Sequence, residues 1–421
     1  MREMKDSGIS SFGFVPSDWE IKKLKTILTL RNEKNSGDRE LLSVYLDKGV
    51  ISYSDSNGMQ VHKPSQDLSN YQNVCVGDFV LNNQQAWRGS VGVSKHNGII
   101  SPAYFVYRLA KCCYPEYMNY LFRDLSMVQQ YETSSRGIGT IQRNIFAPWL
   151  LNCWAVLPSL GEQKRIANYL NKVCTEIDAL TADIQSQIDT LEQYKRSVVF
   201  RTVSQGITHA AMKKTDSNVW TTIPSNWDLA DIKYLFEIVK RIAGKEGYDI
   251  LSVTQRGLKV KDISSNEGQI ANDYSGYQLV YPTDFVMNHM DLLTGWVDCS
   301  TQLGVTSPDY RVFILRDKER NNLHYFKYVM QCCYMCRIFY SLGQGVSQLG
   351  RWRLQTSAFN NFKVPVPPTE TQLEIAIFLD TKIAEIDSII DKKKEQLSIL
   401  ETYKKSLIYE YVTGKKEVPV Q

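Results

Sequence analysis

One pattern occurs twice in this chain and constrains everything else. Residues 157–207, and again 366–415, hold a proline-led helix-capping sequence that continues as a long stripe of heptad-spaced apolar residues. In the first copy, Pro158-Ser159-Leu160-Gly161-Glu162-Gln163 sets Ser and Glu at capping-box spacing, where each side chain can satisfy an orphan N–H of the first turn. The second copy reads Pro368-Thr369-Glu370-Thr371-Gln372.

Behind the first box, Ile166, Leu170, Val173, Ile177, Leu180, Ile184, Ile188, Leu191, Tyr194 and Val198 fall at steps of three and four and draw one helical stripe. The second stripe is Ile375, Leu379, Ile383, Ile386, Ile390, Leu397, Leu400, Tyr403 and Leu407. Gln163, Ile177-Asp178 and Tyr194-Lys195 return as Gln372, Ile386-Asp387 and Tyr403-Lys404, each displaced by 209 positions. Periodicity alone does not repeat residue identities, so the chain is a duplication.

The segments between the helices repeat too. Pro16-Ser17-Asp18-Trp19-Glu20 returns as Pro224-Ser225-Asn226-Trp227-Asp228, Asp78-Phe79-Val80 as Asp284-Phe285-Val286, Gly89-Ser90-Val91 as Gly295-Trp296-Val297, and Ser101-Pro102 as Ser307-Pro308. Short apolar runs such as Asp78–Leu81 and Tyr104–Leu109, broken by Gly, Asn and Pro, predict strands and turns. Glu116–Tyr131 and its counterpart Leu323–Tyr340 each predict one helix. The expected class is α+β, with two homologous mixed α/β domains at 1–156 and 208–365 and helical segments at 157–207 and 366–421. Trp19 and Trp227 are expected to be packing anchors at the start of each domain.

Length and connectivity then dictate an arrangement. A helix of about 45 residues is about 65 Å long, whereas a domain of about 155 residues has a radius of gyration of about 15 Å. The first domain joins the start of the first helix, and the second domain follows its end. The domains are therefore expected at opposite ends, separated by two long antiparallel coiled-coil helices whose stripes cover each other, with a pseudo-two-fold axis. Duplex DNA, with its dyads and its repeat of about 34–36 Å, suits such an object.

Composition is consistent with an intracellular, cytoplasmic chain. Hydrophobic residues make up 43%, no apolar run approaches the roughly 18–20 residues that span a bilayer, and no secretory signal is expected. The nine cysteines, an odd number, argue against a disulfide framework. A net charge of +4 neither demands nor excludes nucleic acid; the basic residues set in polar, glycine-containing loops are more informative, namely Arg88, Arg136 and Arg143, then Lys240, Arg241, Lys245, Arg351 and Arg353.

These residues together resemble the specificity subunit of type I restriction-modification enzymes. The resemblance is carried by the Pro-Ser-(Asp/Asn)-Trp near each domain start, the two Gln-terminated helix openings, the Ile-Asp at each helix centre and the Tyr-Lys-(Arg/Lys)-Ser late in each helix (Tyr194–Ser197, Tyr403–Ser406). Thr371 stands where the first copy has Glu162, and Ser204-Gln205-Gly206 answers Val412-Thr413-Gly414. The resemblance implies that the domains are target recognition domains for double-stranded DNA, each reading half of a bipartite target. It implies that the helices set the half-site spacing and dock two methyltransferase (modification) subunits, and that a restriction/translocase subunit completes the nuclease. It further implies a non-catalytic subunit binding no cofactor, with S-adenosylmethionine, ATP and Mg in the partner subunits, and no membrane.

The residues agree with a lack of chemistry in this chain. There is no Asn/Asp-Pro-Pro-aromatic tetrapeptide and no Gly-x-x-x-x-Gly-Lys-(Ser/Thr) loop. Asp18-x-Glu20-x-Lys22 imitates a nuclease string, but its duplicate has Ala230 in place of the lysine. Cys333-x-x-Cys336, with Cys332 and His324 nearby, invites zinc; lacking a second pair, these cysteines are read as buried on a core helix. The competing reading is a coiled-coil scaffolding protein that spaces two protein-binding domains.

If the two halves read different half-sites, what differs between them carries the preference. After the shared Asp-Phe-Val, the first domain has Asn82-Asn83-Gln84-Gln85-Ala86-Trp87-Arg88 and the second has Asn288-His289-Met290-Asp291-Leu292-Leu293-Thr294. Asn and Gln suit adenine, Arg guanine, and Asp cytosine, so Asn82, Asn83, Gln84, Gln85, Arg88, Asn288, His289 and Asp291 are candidate base readers. The glycine-rich segments before each long helix, with Arg136, Gln142 and Arg143 and then Gln344, Gln348, Arg351 and Arg353, are shared by both halves and are expected to position the phosphate backbone.

Overall fold

The computed structural model describes residues 2–35, 37–56, 64–138, 142–262, 273–345 and 352–419. The chain forms two compact units, Met1–Ile184 with Glu395–Gln421, and Gln185–Lys394. Each unit holds one globular part and one half of each long helix. The fold is α+β.

Each globular part is built on a four-stranded antiparallel sheet. Its strand order is Leu28–Leu30, Tyr104–Leu109, Phe79–Asn82, Val91–Val93 in the first unit, and Phe236–Val239, Arg311–Leu315, Phe285–Met287, Val297–Cys299 in the second. The repeated Asp-Phe-Val thus opens the same strand twice. Its phenylalanine packs inward in both copies, Phe79 against Phe122 at 4.2 Å between ring centroids and Phe285 stacked on Phe313 at 5.2 Å. Trp19 and Trp227 are buried in these cores, as their place at the domain starts predicts.

The helix expected over Glu116–Tyr131 is two helices, Pro115–Arg123 and Leu125–Thr133. Asp124 takes an extended conformation between them, and its carboxylate accepts the Ser126 N–H at 2.9 Å, capping the second helix. An aspartate competes for backbone donors well enough to restart a helix inside a continuous apolar pattern. The counterpart also divides, into Leu323–Met335 and Ile338–Ser341, around Arg337 in the left-handed region at φ 55°.

The long helices run over Leu160–Gln205 and Thr369–Val412. Both are followed closely by a left-handed glycine, Gly206 at φ 81° and Gly414 at φ 71°. These release the last carbonyls without a Cβ penalty. The capping box forms only in part. Ser159 Oγ accepts the Glu162 N–H at 3.3 Å, but the Glu162 carboxylate turns to Arg2 instead of the helix start, and the Thr369 hydroxyl donates to the Arg320 carbonyl at 2.9 Å. The glutamines next in line secure both starts. Gln163 accepts from Tyr114 N and donates to the Cys112 and Pro158 carbonyls; Gln372 accepts from Asn322 N and donates to the Arg320 and Pro367 carbonyls.

Within each unit the helix segments are antiparallel. In the first, Tyr169 faces Tyr411 at 4.7 Å and Asp178 meets Lys404 at 2.6 Å; in the second, Gln187 meets Lys393 and Lys195 meets Asp387. The buried stripe departs from the heptad reading at three places, since Leu180, Tyr194 and Tyr403 are exposed, while Val199 and Val203 are fully buried. These two valines face the globular core around Trp220 and Trp227, a demand that helix–helix periodicity does not contain. Among the described residues, no helix is long and apolar enough to cross a membrane.

Candidate nucleic-acid interface

In the first unit the two candidate segments meet. Asn82 ends its strand, accepts the Gln84 N–H at 3.0 Å and donates to the Tyr104 hydroxyl at 3.3 Å, so its amide holds the turn. The chain then makes a tight turn over Ala86–Arg88 that ends at Gly89, with φ 101°. Opposite lies the hairpin Ser135–Ile138 and Gln142–Ile145, tied to the turn by Ile145 N–H donating to the Asn83 carbonyl at 3.0 Å. Gln84 and Arg88 are exposed.

Aromatic rings order the cations here. Arg88 and Arg143 both lie over Trp87, at 4.6 and 5.0 Å from its centroid, and Arg143 is also paired with Glu132 at 2.8 Å. Arg136 lies over Phe146 at 3.4 Å and Trp149 at 4.5 Å. Trp87, Phe146 and Trp149 were not among the expected site residues; the sequence signal was Trp87 beside Arg88, whereas Phe146 and Trp149 lie ten and thirteen residues from Arg136. Such rings fix the plane of a guanidinium while leaving its donors available.

The second unit repeats the junction with different side chains. Leu354 N–H donates to the His289 carbonyl at 2.9 Å and Leu292 N–H to the Trp352 carbonyl at 3.1 Å. Trp352 packs on Tyr340 at 4.9 Å, and Arg353 Nε reaches the Met290 sulfur. Asn288 accepts from Met290 N, and the Asp291 carboxylate accepts from Leu293 N, Thr294 N and the Thr294 hydroxyl, so both shape their own turn. The His289 ring is half-buried with Nδ1 enclosed; burial, then Arg311 and Arg353, press its pKa down to about 4, so it is neutral at neutral pH. Gln344 and Arg353 are exposed and bridge each other's backbones. Gln348 and Arg351 lie outside the described residues.

Residues 224–398 match the family described as the type I restriction modification DNA specificity domain. The type I restriction enzyme MjaVIII specificity subunit of Methanocaldococcus jannaschii is 23% identical over 323 residues, 71% of this chain and 70% of its own length. The protein designated the MjaX specificity subunit of the same organism is 23% identical across 97% of this chain and 96% of its own length. A chain solved in work on complex assembly and conformational transition of the type I R-M system shares the fold, with a TM-score of 0.69 over 96% of this chain and 99% of that one at 14% identity. Residues 224–398 thus carry the type I restriction modification DNA specificity domain, and the chain is similar over nearly its whole length to type I specificity subunits.

Some basic residues of this chain serve the scaffold. Arg31 is locked to Asp78 at 2.6 Å, and Arg241, grouped by sequence with the loop cations, is locked to Asp284 at 2.5 Å. Both aspartates are buried and also accept a backbone N–H, from Cys75 and Tyr281 respectively. The aspartate of the repeated Asp-Phe-Val is thus the acceptor of an ion pair that anchors the start of its strand. Cys332 and Cys333 are fully buried on their helix, and His324 pairs with Asp380.

Proposed function

We propose that this chain is the specificity subunit of a type I restriction-modification enzyme and reads a bipartite target in double-stranded DNA, one half-site with each globular domain. The observation that carries this reading is the junction of turn and hairpin found in both units, Asn83 with Ile145 and His289 with Leu354, because it presents the segments that differ between the halves on a common scaffold. In this reading Gln84, Gln85 and Arg88 in the first domain and Asn288 and its neighbours in the second are closest to base edges. Arg143 and Arg353 carry charge to the phosphates.

The paired helices set the half-site spacing and dock two methyltransferase subunits, and a restriction/translocase subunit joins that core. The subunit itself is non-catalytic and works in the cytoplasm; S-adenosylmethionine, ATP and Mg belong to its partners. The test is duplex binding by the full chain, with and without the methyltransferase subunits, together with methylome sequencing of a host that expresses them. A bipartite methylated motif supports the reading. A scaffolding role predicts no sequence-selective binding and no motif in either case. Arg143→Ala combined with Arg353→Ala is expected to weaken all duplexes about equally and to flatten the salt dependence.

A further inference from the structure

Arg136 stands apart from the other cations of the interface. It is exposed, its guanidinium rests on Phe146 and Trp149, and among the described residues no carboxylate is paired with it, whereas Arg143 is held by Glu132. Contact with two rings set at 80° to each other holds the planar guanidinium in place and removes side-chain freedom before any ligand arrives. A phosphate needs a nearby charge. Bidentate pairing with guanine O6 and N7 needs a fixed fork.

Backbone register identifies the equivalent position in the second domain. Arg136 pairs with Asn144 in its hairpin, and Gln344 pairs with Arg353; in each case the next residue, Ile145 or Leu354, donates to the neighbouring turn. Gln344 therefore occupies the place of Arg136. Counting back from the strands Trp154–Leu157 and Lys363–Val366, Gln355 and Ala358 occupy the places of Phe146 and Trp149. The clamped arginine thus belongs to one half alone, unlike the backbone-positioning role expected of a shared segment.

We propose that Arg136, held against Phe146 and Trp149, reads a guanine in the half-site of the first domain; this rests on the DNA-reading role proposed above. The experiment uses the full chain assembled with its methyltransferase subunits and a panel of duplexes in which each base pair of the first half-site is replaced in turn. The wild type loses roughly 10–100-fold at one G·C pair. Arg136→Ala and Arg136→Lys abolish that discrimination and leave the other positions intact, although lysine keeps the charge. Arg136→Gln moves the preference at that position toward A·T, and Trp149→Ala blunts the same discrimination with Arg136 still present. The proposal is overturned if Arg136→Ala and Arg136→Lys leave discrimination at every position unchanged, whether affinity falls uniformly, with a salt slope lower by about one for alanine, or does not fall at all. Wild-type complex that selects no sequence would sink the DNA-reading role and this inference together. Selective wild type with position-independent Arg136 effects sinks this inference alone.

Discussion

Lys195 donates to Asp387 at 2.6 Å, and its duplicate Lys404 donates to Asp178 at the same distance. Each lysine comes from the Tyr-Lys of one helix copy and each aspartate from the Ile-Asp of the other, so the repeated motifs are the two ends of one cross-helix contact. The pairs are partly exposed, and each is worth no more than about 1 kcal/mol. Their value lies in register. Asp387→Lys is expected to lower the melting temperature more than Asp387→Ala, and adding Lys195→Asp is expected to recover most of the difference. Thermal melts of the four proteins decide this; a double variant no better than Asp387→Lys refutes the register.

Gln372 is almost wholly buried and satisfies one N–H and two carbonyls where a helix, a loop and a strand end meet. Truncation strands those groups without water. Gln372→Ala is expected to cost roughly 2–4 kcal/mol in urea unfolding, and Gln163→Ala a similar amount. Gln372→Glu is expected to be worse at neutral pH, since it keeps the acceptor but buries a charge facing carbonyls.

Gly414 and Gly206 hold equivalent left-handed positions but differ in what lies above them. A Cβ on Gly414 would overlap the Pro16 ring, while one on Gly206 would lie 3.2 Å from Trp227. Both alanine variants carry about 1–2 kcal/mol of backbone strain, and Gly414→Ala adds about 1–3 kcal/mol of overpacking. Equilibrium unfolding is expected to rank Gly414→Ala clearly below Gly206→Ala.

The enclosed His289 makes stability depend on pH. Its folded pKa is about 4 against 6.5 for the free side chain, so below about pH 6.5 the unfolded chain takes up a proton that the folded chain refuses. Stability therefore falls as pH drops from about 6.5 to about 4, and this component is absent above that window. Melts of the wild type and His289→Gln at pH 7.5 and 5.0 are expected to show a smaller pH-dependent loss for the variant.

The duplication, the two long helices and the candidate segments were legible because each is written in local order: capping residues, apolar spacing, and identities repeated at a nearly constant displacement. The same local signals misled where a single side chain changed its partner. Asp124 split a continuous helical pattern, and Glu162 left its capping role for Arg2. Arg241 is indistinguishable in sequence from a loop cation, yet it closes a buried pair with Asp284.

By itself the sequence determined that the chain is built twice, where its helices lie and which segments differ between the halves. Tertiary structure alone decided which cations are held by carboxylates and which by rings, and that Asn83 meets Ile145 as His289 meets Leu354. The reason is physical. Helix periodicity is set by neighbours three and four residues apart, whereas an ion pair or a ring clamp depends on where packing brings residues that are distant along the chain.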